Sequence, residues 1–247
     1  MKNIFKKTCF LVLVITAFNL VGQSTFNYNT DFKKILDSTK KHNSNLSYAR
    51  LLSRFNVNDT TLTNYEMLAL LIGFTDKPEY KPYQDIDTES NIYMLNDKGK
   101  YNEALQKGLS FIKTHPFSVK TLFEIAYSYH KLNNKDSEMF YLYKGQKIFE
   151  AMYFSGDGKT IETPIYALGP TDGQVYIKKF IGKKIGVMGS GSDKNGNFID
   201  ILEVKLDEGK TIPLYFIIQH ATTDIMKSIQ KVTKKYEKKF KKKKKEE

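Results

Sequence analysis

The sequence predicts an α+β fold, a helical layer followed by a small antiparallel β-meander and a basic C-terminal helix. Three observations lead there. Apolar residues recur at helical spacing from Thr30 to Leu71 and again from residue 90 to residue 153. After Gly156-Asp157-Gly158 the spacing changes from 3.6 to 2, and turn residues bound the later apolar runs. A last apolar stripe, near the C-terminus, is set among lysines.

The first 24 residues read as an export signal. Lys2, Lys6 and Lys7 precede an apolar run from Phe10 to Phe18 broken only by Thr16, which is too short to cross a bilayer as a mature helix. Gly22-Gln23-Ser24 places small residues where a signal peptidase reads, so cleavage before Thr25 is expected, with cleavage before Gln23 as the alternative. Export is therefore expected, to a periplasmic or secreted destination. The only cysteine, Cys9, lies in the leader, ahead of the apolar run. The mature chain therefore has no disulfide framework, thiolate metal site or cysteine nucleophile.

Residues 25 to 153 form the expected helical region. Phe32, Ile35 and Leu36 share one stripe after a Thr30-Asp31 cap signal, with Lys40 and Lys41 in the last turn. Tyr48, Leu51, Leu52 and Phe55 make a second stripe. A third starts at the N-cap Thr63, carries Met67, Leu68, Leu70 and Leu71, and stops at Gly73. Pro78 and Pro82 make the stretch from Lys77 to Tyr83 a rigid connector whose tyrosines pack back on the helices.

Between residues 90 and 153 a period appears. Gly99-x-Tyr101-x-x-Ala104 followed by Pro116 matches the second half of a tetratricopeptide repeat, and Leu122, Ile125, Ala126 and Tyr129 take the first-helix positions of the next 34-residue unit. Glu138 then replaces a small residue, Gly108 and Leu142 replace aromatics, and Glu150 replaces the closing proline. About one and a half tetratricopeptide-like units result, too few for a long solenoid groove. The tyrosines at 127, 129, 141, 143 and 153 read as core packing with hydroxyls at the rim, with a peptide-binding surface as the alternative.

Residues 154 to 220 form the expected β region, packed on the helices as one domain. Thr163 to Leu168, Lys184 to Met188, Phe198 to Leu206 and Thr211 to Ile218 read as strands. Asn195-Gly196 favours positive φ at both central turn positions, and Asp207 to Lys210 closes the next hairpin. Residues 172 to 181 fit a strand or a short helix, with Val175, Tyr176 and Phe180 favouring the helix. Phe198, Asp200, Leu202, Val204 and Leu206 should face the helices, with Asp200 near the edge.

The blocks YARLLSRFNVNDTTLTNYEMLALLIGFTDKPEYKPY, SGDGKTIETPIYALGPTDGQVYI and FIDILEVKL with LYFII, in that order, resemble a family of exported Bacteroidetes-type proteins known as domain of unknown function number 4919. The resemblance covers roughly residues 26 to 218. It departs at Leu71-Ile72-Gly73, where a tyrosine pair before glycine is typical, and at Gly173-Gln174, where acidic residues are expected. It implies export and the helix-then-strand order, and it assigns no residue a catalytic role.

Motif spacing removes several chemistries. Gly158-Lys159-Thr160 resembles the end of a phosphate-binding loop, but Tyr153 stands where that loop needs glycine. Asp193-x-Asn195 resembles a calcium loop, but Phe198 occupies the turn-glycine position. The four histidines are scattered, so neither a metal site nor a cofactor is expected. What remains is a weak carboxylate constellation at the helix-to-sheet junction: Asp157, Glu162 and Asp172 with His220, which could divide general-acid and general-base roles in a hydrolase-like enzyme. Against it, Asp157 between glycines reads as a turn former.

The net charge of +12 is unevenly placed: residues 1 to 22 carry +3 and residues 227 to 247 carry +8, leaving about +1 for the body between them. Sequence-specific nucleic-acid binding therefore has no basic patch on the body to rest on. In residues 221 to 247, Ile225, Ile229, Val232, Tyr236 and Phe240 form one stripe while lysines fill the other faces. Lys231, Lys234, Lys235, Lys238, Lys239, Lys241 and Lys242 could meet an anionic envelope surface, or the helix could pack its stripe on the body and fray into a solvated lysine run. The leading expectation is a protein- or envelope-binding module without catalysis; the alternative is the hydrolase-like enzyme.

Overall fold

The computed structural model describes residues 26–223 and residue 225, so the leader and the lysine stripe lie outside the described residues. The architecture is α+β: helices α1 (Tyr28–Lys40), α2 (Tyr48–Asn56), α3 (Asn64–Phe74), α4 (Pro82–Asp97), α5 (Tyr101–Phe111), α6 (Val119–Lys131) and α7 (Lys135–Ser155) precede a small sheet. Strands β1 (Ile165–Tyr166), β2 (Lys184–Ser192), β3 (Phe198–Lys205) and β4 (Thr211–Ile217) follow, with the short helix α8 (Asp172–Val175) and a π-helix (Tyr176–Ile181) between β1 and β2. Residues 219 to 223 open a further helix.

The cap of α1 lies earlier than Thr30-Asp31. Asn27 accepts hydrogen bonds from the Asn29 and Thr30 amides, and Asp31 reaches back to the Asn27 amide at 2.8 Å. At α3 the expected Thr63 cap forms a full capping box with Glu66, and every residue from Met67 to Phe74 is buried. A helix apolar on all sides has to sit at the centre of the layer. The Lys77–Tyr83 connector is shorter than its two prolines suggested, because Pro82 opens α4 at the first helical turn, where its missing N–H leaves no bond unmade. Tyr80 does pack back: it is buried and donates to the Leu168 carbonyl at 2.6 Å.

Helices α4 to α7 form two consecutive pairs whose second members open at Tyr101 and Lys135. Gly99, at φ +71°, ends α4. Ala104, Leu122 and Ala126 are buried, Tyr101 meets Tyr127 edge to face, Tyr129 stacks on Tyr141, and Pro116 lies in the loop between the pairs. Gly108 shows why no aromatic is tolerated there: a Cβ would stand 2.7 Å from Ile125 Cγ1. The small residue lets α5 approach α6 closely.

The sheet order is β1-β4-β3-β2. β2, β3 and β4 make the antiparallel meander, but the first strand differs from the antiparallel expectation. It shortens to Ile165 and Tyr166 and pairs parallel with β4, Ile165 opposite Phe216. Residues 172 to 217 leave β1 through α8 and the π-helix and return along it as the fourth strand, so the two run the same way. At the β2–β3 turn only Gly196 takes positive φ, not Asn195. Asp193 replaces the expected turn chemistry by accepting from the Asn195 and Asn197 amides, each at 2.8 Å. Leu202 and Val204 face the helices as expected, and Asp200 beside them is pushed up to about 6 by burial. Gly173 places α8 against this face, since a Cβ there would stand 2.9 Å from Leu202 and 3.1 Å from Phe216.

Candidate functional site

The four junction residues occupy separate environments. Asp157 forms a turn after α7, accepting from Thr163 Oγ1 at 2.7 Å and the Lys159 amide at 3.1 Å. Glu162 is exposed at the rim of a cleft of about 190 Å³ shared with Tyr28, Asp193 and Asn195. His220 is buried in an aromatic box, stacked on Tyr166 with ring centroids 4.6 Å apart and flanked by Phe32, Tyr28 and Tyr80. Neither of its ring nitrogens has a hydrogen-bond partner among the described residues. Burial pushes the imidazole down to about 3, opposed by the nearby Ala167 and Leu168 backbone, so the ring is neutral. No hydrogen bond among the described residues joins any two of the four.

Asp172 instead meets carboxylates that the sequence did not single out. It lines a cavity of about 30 Å³ together with Asp85, Glu89, His115 and Ser118. Glu89, buried on α4, accepts from Ser118 Oγ at 2.7 Å and from Thr171 Oγ1 at 3.0 Å, tying α4 to the N-cap of α6 and to the start of α8. His115 Nε2 lies 3.3 Å from Asp85. Burial, with Glu89's charge as the second cause, pushes Asp172 up to about 8 against the Gly169 and Leu168 backbone. Asp85 rises to about 6, again through burial, with His115 pulling it down and Glu89 pushing it up. Asp172 is therefore a protonated acid at neutral pH. A cavity of this volume holds a water or two, not a substrate. Among the described residues no group of three or more His, Cys, Asp and Glu side chains is placed to hold a metal ion.

Thr171 is shared between that cavity and a larger groove of about 490 Å³. One wall is built by the first helices of the two pairs, with Tyr93 from α4 and Lys120, Phe123 and Glu124 from α6; the other is Gln174, Val175, Lys178 and Lys179 from α8 and the π-helix. Tyr93 exposes half of its surface (51%), whereas Glu124 is buried. The Glu124 carboxylate is engaged by Asn96 Nδ2 at 2.8 Å, and Ser128 completes the link to Asn96 Oδ1 at 2.7 Å. The groove thus presents two aromatic rings and three lysines, with its one acid turned inward. Sequence spacing offered no pointer to it, because residues of the two walls lie 50 to 86 positions apart and the π-helix has no local signature.

The sequence profile described as domain of unknown function (DUF4919) matches residues 33–242, which is most of the chain. The chain belongs to that family. No curated protein and no solved structure matches it significantly. The DUF4919 match covers every residue that lines the groove, from Tyr93 to Lys179. Among the described residues no helix is long and apolar enough to cross a membrane.

Proposed function

We propose that this DUF4919 protein is an exported, periplasmic or secreted binding module that docks a partner protein without chemically changing it. The observation that carries the reading is the groove of about 490 Å³, a volume in the range of ligand sites and open between two rigidly anchored walls. The α4 and α6 wall is what a pair of tetratricopeptide-like units would present on its concave side, and the exposed Tyr93 ring supplies the kind of aromatic anchor that interfaces favour. Docking through this face needs no catalytic group. The Lys231, Lys234, Lys235, Lys238, Lys239, Lys241 and Lys242 stripe, outside the described residues, would add affinity for an anionic envelope surface.

Photo-crosslinking in the native envelope tests the groove. Tyr93→p-benzoylphenylalanine should give a discrete protein adduct on irradiation, while the same replacement at Val57, exposed on the far end of α2, should give none. Absence of an adduct from position 93, or the same adduct from both positions, removes the groove as the docking face.

A further inference from the structure

Resting on the groove as the docking face, we infer that its occupant is an acidic, extended protein segment carrying aromatic side chains, whose carboxylates are met by Lys120, Lys178 and Lys179.

Four features of the groove converge on that chemistry. Among the described residues none of the three lysines is paired with a carboxylate. Lys120 reaches only Ser90 Oγ, at 3.3 Å. The body of the chain is close to neutral, so three unneutralised ammonium groups around one concavity concentrate positive potential where low-dielectric walls focus it. Glu124, the one carboxylate of the lining, is hydrogen-bonded to Asn96 and ion-pairs with none of the three lysines, so positive charge still predominates in the lining.

The floor adds an apolar demand. Phe123 stacks on Phe149 with ring centroids 5.2 Å apart, which fixes its ring, and Tyr93 on the same wall has half its surface open. An occupant that satisfied only the lysines would leave both rings wet. A segment with alternating acidic and aromatic side chains satisfies both, because an extended chain points successive side chains to opposite sides.

The backbone under the lysines is the fourth feature. Lys178 and Lys179 lie in a six-residue π-helix, a rare conformation that recurs at functional sites. Here it follows α8 directly and ends at Gly182 with φ +73°, so the widened turn sets where both lysines enter the groove.

Fluorescence anisotropy with the full chain tests the inference, using a fluorescein-labelled decapeptide of alternating Glu and Tyr and its Gln and Tyr counterpart. The acidic peptide should bind saturably and lose affinity with salt, and the neutral one should bind at least about tenfold more weakly. Lys120→Gln/Lys178→Gln/Lys179→Gln should weaken the acidic peptide about tenfold or more. Tyr93→Ala should weaken it several-fold with every lysine, including those of the tail, still in place. Unchanged binding by the triple variant or by Tyr93→Ala overturns the inference, as does displacement of the peptide by millimolar inorganic phosphate or by phosphatidylglycerol vesicles, which would assign the groove to phosphate chemistry. The two readings fail separately. A crosslinked adduct at position 93 that persists undiminished in the triple Gln variant keeps the docking face and removes its acidic occupant; no adduct at all removes the face itself.

Discussion

Two buried titratable side chains oppose each other in how they tie stability to pH. His220 takes no proton in the folded state until about pH 3, against an ordinary value of 6.5. Between those values the unfolded chain binds a proton that the folded one refuses, so stability falls as pH drops through that window. Asp172 holds its proton up to about pH 8 against an ordinary 3.8, so the folded chain is the one with the extra proton and stability falls as pH rises through that window. Each contributes a slope no steeper than about 1.4 kcal/mol per pH unit. The windows overlap between about pH 3.8 and 6.5, where the two opposite slopes cancel in the parent. Urea unfolding at a series of pH values therefore separates them by what each variant uncovers: His220→Phe, which keeps the aromatic stack, should lose stability as pH rises across about 4 to 8, and Asp172→Asn, which can still accept from Gly169, should lose the alkaline slope and lose stability as pH falls below about 6.5. Parent-like slopes in both variants would show that neither group governs the profile. The sequence marks both His220 and Asp172 as titratable junction residues, but the meeting of Asp172 with Glu89 joins positions more than 80 apart in sequence, which no local spacing encodes.

At the scale of elements, the parts set by neighbouring residues were readable and the parts set by distant ones were not. Thr63 caps α3 as the sequence implied, and Glu66 three residues on completes the box. The start of α4 was hidden because proline breaks a helix interior but opens a helix equally well. The direction of β1 was hidden because its partner is the last strand, not the next one. The close approach of α5 and α6 makes a direct test of this packing. Gly108→Ala gains about 1 kcal/mol of helix propensity, but its Cβ would stand 2.7 Å from Cγ1 of the fully buried Ile125, which would have to shift. Overpacking of about 1–3 kcal/mol should win. A net loss of about 1 kcal/mol in chemical denaturation is expected, and a more stable variant would show that the two helices can part without cost.

For the whole molecule, charge and fold are kept apart. The ordered body is near neutral and held by an apolar core running from α3 to the helix-facing side of the sheet. The C-terminal residues 227 to 247 carry +8. If those residues supply contact with the envelope, co-sedimentation with anionic vesicles should fall about tenfold or more when they are removed and should weaken with salt in the intact chain. Equal sedimentation with and without them would assign surface contact to the body.

The parallel pairing of β1 with β4 also sets an order of events along a chain made from its N-terminus. All seven long helices and β1 are present before residues 211 to 217 emerge, yet Ile165 and Tyr166 have no strand to lie against until they do. The apolar underside of the helical layer is covered last, by the strand that leaves the ribosome after all the others. A nascent chain halted before residue 211 would therefore keep that apolar surface open to other chains.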